Sequence, residues 1–298
     1  MNASAVFSRL EALRYAFAGT ITFVLVSLSV GGFVPVGGVL AFDPAEGIAI
    51  SLALLSGPTA ALGVAVGVVV TAAVRSALSL WVVFEAATTF FLGYAAYRLW
   101  YVLPNVATGE RPTLASARQW LEFVTVTVVA AASSTAILAW GAQVAGRTSF
   151  HAIAIETGVT RVLSSLVVGA VLVPVFTRRW DVDAHAKPYR YRSPIDGRSG
   201  AFFGAVVVPI WWLVAGAALS VASDIGPRIH PASVAGIVGG PLSPETLAAI
   251  GVVGRTAQIV FGAALLAIVL RTYASSDPTT NRSVDEVAST ADGAGVNQ

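Results

Sequence analysis

Eight apolar segments, joined by polar or glycine-rich connections, constrain this chain more than any other feature. They run from about Tyr15 to Phe33, Ala45 to Ser56, Thr59 to Val74, Leu78 to Trp100, Trp120 to Ala142, Thr157 to Thr177, Ala201 to Ala222 and Leu247 to Leu270. Several approach or exceed the roughly 18–20 apolar residues that a helix needs to cross a bilayer. Composition agrees, since 56% of the residues are hydrophobic and 11% are charged, whereas a soluble domain carries about 25% charged residues. The expected fold class is all-α, a polytopic helical membrane bundle of about eight segments.

The stretch Ala45 to Val74 is interrupted by Gly57-Pro58, which makes it one long helix or two short passes. Charge bias decides, because Lys and Arg near segment ends favour the cytoplasmic side. If the chain reverses there, Arg9, Arg14, Arg98, Arg111, Arg118, Arg178, Arg179, Lys187, Arg190, Arg192, Arg198 and Arg271 share the side of the N-terminus. Only Arg75, Arg147 and Arg228 then face the other way. A continuous helix would instead put the basic Arg178 to Arg198 stretch opposite Arg9 and Arg14. Two passes are expected. The first of them rises only about 18 Å as helix, so it is half-inserted or ends at a buried turn.

The expected location is the cell membrane, multi-pass, with both termini cytoplasmic. The expected organisation is a six-segment core over 1–177, a basic cytoplasmic loop over 178–200, two additional transmembrane helices over 201–271, and a tail over 272–298. That tail is polar and rich in Ser, Thr and Asp, and is expected to be disordered. The basic loop suits anchoring to anionic lipid of the bilayer, or docking of a cytoplasmic partner. The segment after Arg9 and Arg14 is long and carries no convincing cleavage site, so it is expected to be the first span.

Catalytic chemistry finds no foothold. The chain has no cysteine, which excludes disulfides and thiolate ligands. His151, His185 and His230 fall in expected loops without metal-ligand spacing. No nucleophile elbow, Walker loop or His-Glu-x-x-His helix occurs. The basic residues flank membrane segments instead of forming a soluble patch, which argues against nucleic acid. No enzyme activity, catalytic residue, cofactor or metal is expected.

Ionisable groups inside the apolar segments point to function instead. A charge at the bilayer centre costs at least about 2.5–3.5 kcal/mol, so it faces the bundle interior or a cavity. Trp81, Glu85, Thr88 and Leu92 fall on one helical face. Thr157 shares a face with Arg161, and Arg255 with Gln258. The topology places Asp43, Glu46, Glu85, Glu156, Arg161 and Arg255 in or toward the outer half. Asp43, Glu46, Trp81, Glu85, Thr88, Glu156, Arg161 and Arg255 are therefore the candidate ligand-binding residues. The competing explanation is structural ion pairing, for example of Glu85 with Arg161 or Arg255.

Small residues mark close helix contacts. Ala60, Gly63 and Gly67 form one small-residue face, and Ala12 with Ala16 another. Such faces serve packing within the chain or docking of a partner helix.

The order Ala12-Leu13-Arg14-Tyr15-Ala16, a glycine-rich outer loop, Phe42-Asp43-Pro44-Ala45-Glu46-Gly47, and then Gly57-Pro58-Thr59-Ala60-Ala61-Leu62-Gly63-Val64-Ala65-Val66-Gly67 resembles the substrate-binding S components of energy-coupling-factor transporters. The resemblance spans about Arg9 to Thr177. It implies a six-helix membrane protein that captures a small solute from outside, while an ATPase and a membrane coupling subunit supply the energy. It also implies that Ala12 and Ala16 dock against the coupling subunit. Asp43, Glu46, Glu85 and Arg161 are expected to contact solute or gate access, with the loop between Gly31 and Phe42 as a lid. A second resemblance, to membrane-embedded sensor domains, rests on the same glycine-spaced segments and on Leu172-Val173-Pro174-Val175-Phe176. It implies a receptor that signals to a separate chain. A scaffold whose charges serve only as ion pairs is the third possibility.

Overall fold

The computed structural model describes residues 3–29, 34–36, 40–101, 103, 106–107, 111–179, 202–225 and 243–274. These residues form eight α-helices: α1 (Ala3–Ser29), α2 (Pro44–Ser56), α3 (Pro58–Val74), α4 (Leu80–Tyr101), α5 (Ala117–Val144), α6 (Phe150–Arg179), α7 (Val208–Ile225) and α8 (Pro244–Ala274). A π-helical turn, Phe203–Val207, leads into α7. Six of the helices are long and apolar enough to cross a membrane, and α2 and α3 are shorter apolar helices. The molecule is an all-α bundle compatible with a multi-pass membrane protein.

Gly57 is the point on which the topology turns. Its φ of 82° lies in the left-handed region that glycine enters without steric penalty. Pro58 then opens α3 at a position where its missing N–H is harmless. The start of α2 (Asp43) and the end of α3 (Arg75) line one cavity with Ser27 at the end of α1. The chain therefore reverses at Gly57, as the charge bias predicts. We call the end where α1 begins proximal and the other end distal.

Small residues set the helix contacts. A Cβ on Gly63 would overlap the Ala16 carbonyl, and Gly67 lies against Phe23, so α1 and α3 run parallel with their backbones nearly touching. Thr20 reinforces this pairing by donating to the Gly63 carbonyl at 2.8 Å. Gly47 meets the α6 backbone at Ser164, and Gly93 fits between Ala49 and Ala61, which draws α2 into the centre of the bundle. The helix is central because almost all of it is buried, from Ala45 through Ser56. Toward the proximal end the core is aromatic and aliphatic, with Leu54, Leu99, Trp100, Leu103 and Phe123 buried. Tyr101 donates its hydroxyl to the Leu54 carbonyl at 2.8 Å.

The last two helices attach through hydrogen bonds and glycine contacts. Gln258 on α8 donates to the Gly216 carbonyl on α7 at 2.8 Å and meets Gln143 of α5. Trp140 donates to the Ile259 carbonyl at 3.2 Å, and its ring lies against Gly262. His151, expected in a loop, sits in the first turn of α6 and contacts Ser220 at 3.2 Å.

Several boundaries differ from expectation, among them the start of α6 at Phe150. The first helix begins at Ala3, well before the apolar run at Tyr15, because helix continues through the polar flank. The last extends to Ala274, into the expected tail. The glycine-rich outer loop contains an antiparallel hairpin of β1 (Val34–Val36) and β2 (Leu40–Phe42), with Val34 opposite Phe42. The expected basic loop, from residue 180 onward, and the tail beyond 274 lie outside the described residues.

Candidate functional site

The distal half of the bundle encloses a cavity of about 320 Å³. Every helix from α1 to α6 contributes to its wall. The polar residues are Ser27, Asp43, Glu46, Thr71, Arg75, Glu85, Thr89, Glu156, Thr157, Thr160 and Arg161; Phe23, Val68, Val82 and Leu138 supply apolar surface.

Arg161 is the anchor of the site. Its side chain is 1% exposed, and its Nε donates to Glu46 Oε2 at 3.1 Å. Nη1 donates to Ser134 Oγ at 3.1 Å and Nη2 to Thr88 Oγ1 at 3.4 Å. A buried guanidinium is tolerable only when its charge is paired and its fork of donors is satisfied. Here one carboxylate and two hydroxyls, from three helices, meet that requirement. Glu46 lies in the first turn of α2, where the helix dipole favours an anion. Its side chain is 21% exposed, so the pair forms part of the cavity wall.

Asp43 caps α2, accepting from the Ala45 N–H at 2.9 Å. Its own backbone N–H donates to Ser164 Oγ at 3.0 Å, which ties the cap to α6. Burial pushes the Asp43 carboxyl above the usual aspartate range, and the neighbouring Glu46 charge pushes it further. Glu85 accepts from Trp81 Nε1 at 2.8 Å. The Trp81 ring in turn carries the Arg147 guanidinium, 4.9 Å from its centroid, within cation–π range. Arg75 caps the end of α3 and reaches across to α1, donating to the Ser27 carbonyl at 2.6 Å. The hydroxyls of Thr71 and Thr160 are buried in the wall and have no hydrogen-bond partner among the described residues.

Of the expected ligand residues, Asp43, Glu46, Glu85, Glu156 and Arg161 converge on the cavity. Trp81 and Thr88 stand behind its wall and hold Glu85 and Arg161 by hydrogen bonds. Arg255 does not belong: it is exposed on α8 and outside the lining. Around it only a narrow strip of α8 is buried in the bundle, and Gln258 occupies that strip. The ion pair offered as the competing explanation, Glu85 with Arg161, is not among those formed by the described residues. Arg161 pairs with Glu46, while Glu85 is held by Trp81.

Ala12 and Ala16 are half-buried. The backbone of Ala16 is engaged within the chain by Gly63, so at least part of this face packs intramolecularly. Sequence reasoning missed Arg75, Thr71 and Thr160 as site residues. Arg75 carried a signal, being a basic residue on the side with few of them.

Among the described residues, no group of three or more His, Asp or Glu side chains is placed to hold a metal ion. Fold and cavity together define a polytopic helical protein with a polar chamber at one end. No protein-family model, no curated protein and no solved structure matches the chain.

Proposed function

We propose that the chain is a membrane-embedded solute-binding subunit of an uptake transporter. It captures a small solute in the distal cavity and relies on partner subunits for ATP hydrolysis. The observation that carries this function is the cavity itself. Six helices place charged and hydroxyl groups around a space of about 320 Å³, in a chain that is otherwise strongly apolar. Polar groups in such a setting are costly, and they collect where a solute or ion is handled.

Positive-inside bias supports a distal end that faces outward, since Arg98, Arg111, Arg118 and Arg271 flank the proximal ends of their helices. The resemblance to energy-coupling-factor S components supports the same assignment, with α7 and α8 as additions to the six-helix pattern. On this view α1 docks the coupling subunit through the face that α3 leaves free. Leu13 and Phe17 are exposed there, with Ala12 at its edge.

Co-purification in mild detergent tests the proposal. An ATPase and a membrane coupling protein should accompany the wild type and be lost in Ala12→Trp, a substitution that spares the Ala16–Gly63 contact. Recovery of a kinase or other signalling protein would instead establish a receptor.

A further inference from the structure

Charge is the least balanced property of the cavity. Among the described residues, its wall holds four carboxylates (Asp43, Glu46, Glu85 and Glu156) against two guanidiniums (Arg75 and Arg161). Both guanidiniums are already engaged: Arg161 by Glu46, Ser134 and Thr88, and Arg75 by the Ser27 carbonyl. Glu46 is consumed in that pairing, and Arg75 lies within electrostatic reach of Asp43, which still leaves the wall with two more carboxylates than guanidiniums among the described residues. Arg147 lies over the Trp81 ring and does not line the space. The stretch Val30 to Ala41 adds no charge, because it contains no ionisable residue.

A second observation concerns hydrogen bonding. Thr71 is 6% exposed and Thr160 is 2% exposed, and both hydroxyls lie in the wall with no partner among the described residues. Buried hydroxyls without partners are uncommon, and each calls for a reason. A threonine hydroxyl both donates and accepts, so these two can take N–H donors, and the excess of carboxylates beside them is what favours a cationic one. Phe23, Val68, Val82 and Leu138 give the same space an apolar side for a carbon skeleton.

We propose that this cavity binds a small organic cation, an ammonium or amidinium compound, in preference to an anion or a metal ion. The inference rests on the solute-capture function proposed above and specifies its substrate class. A metal ion fits poorly, because a hard cation needs several converging oxygen ligands and no such group occurs among the described residues. An anion would meet a wall whose guanidiniums are taken. An ammonium group satisfies both deficits at once, neutralising carboxylate charge and donating to Thr71 and Thr160. Between packed helices, such a charge pair is screened less than at an exposed surface.

The test is calorimetry on the full chain in nanodiscs of zwitterionic lipid. Putrescine, agmatine and choline are the cations; 1,4-butanediol and succinate match putrescine in skeleton but differ in charge. At least one cation should bind, and neither matched control should. Glu85→Gln and Asp43→Asn should each weaken that cation by about tenfold, the loss of one charge-assisted contact. Arg75→Gln, which removes a positive charge from the wall, should tighten it, a sign that general destabilisation does not produce. Succinate binding that Arg75→Gln abolishes would overturn the cation inference while leaving a solute site in place. Binding of neither class would remove both.

Discussion

The two ends of the bundle are built on opposite principles. The proximal end is filled: Leu99, Trp100 and Leu103 are buried there, and the Tyr97 and Tyr101 rings pack 5.1 Å apart. Its buried cation, Arg98, lies over the Tyr94 ring at 5.8 Å. The distal end is hollow and polar, with its charges facing a shared space. One sequence thus makes a sealed floor and a chamber above it, with the central helix α2 running from one to the other. On the proposed function, a packed floor among the described residues restricts loading to the distal side, and emptying the chamber toward the proximal side would require the helices to move.

The contrast predicts that floor and chamber respond differently to mutation. The largest effect is expected from Trp100→Ala. It leaves a void in the floor and should cost about 3–5 kcal/mol in denaturant titrations in detergent, with solute affinity of the folded fraction unchanged. Arg161→Gln should cost a similar amount, about 3–5 kcal/mol, because it strands Glu46. Unlike the floor mutant, it should also change solute affinity in the folded fraction, because the freed Glu46 carboxylate adds negative charge to the chamber. Pairing it with Glu46→Gln should recover much of the stability and return the affinity toward wild type; a double mutant no more stable than the single would show that the two residues are not coupled.

A smaller loss, about 0.6–2 kcal/mol, is expected for Gln258→Leu in the same titration. It breaks a bond between α7 and α8 that lies away from the chamber. Glu85→Gln should change stability by no more than about 0.5 kcal/mol, since the amide oxygen still accepts from Trp81; its effect should appear in binding. The finest test is pH. Burial and Glu46 raise the pKa of Asp43, so on acidification it takes up a proton earlier than an ordinary aspartate. The chamber then loses negative charge, and cation affinity should fall as pH drops through that range. Asp43→Asn should flatten this part of the profile.

Architecture was more legible in the sequence than the wiring of the site. Each helix carries its own apolar run, so all eight can be found one at a time, and the reversal at Gly57-Pro58 follows from glycine geometry and charge bias. Convergence of Asp43, Glu46, Glu85, Glu156 and Arg161 was also legible, because topology alone puts them at one end. Which of them pair was not. Glu46 and Arg161 stand 115 residues apart, and their meeting depends on how α2 and α6 slide against each other at Gly47 and Ser164, which no local period records. Arg255 illustrates the converse. An arginine in an apolar helix looked buried, yet most of the α8 surface around it faces outward. The β-hairpin escaped notice because its strands are three residues each, too short to show alternation.

The Glu46–Arg161 pair also imposes an order on biosynthesis. Glu46 leaves the ribosome 115 residues ahead of its partner, a delay of roughly 6–23 s at about 5–20 residues per second. During that interval α2 is a short helix carrying an unmatched carboxylate, and α1 and α3 are already able to close on each other through Ala16 and Gly63. The arrival of α6, itself apolar enough to enter the membrane despite Arg161, completes a packing of α2 that α3 and α4 begin through Ala61 and Gly93. A nascent chain stalled before Phe150 should therefore leave α2 less protected from protease than the full-length chain.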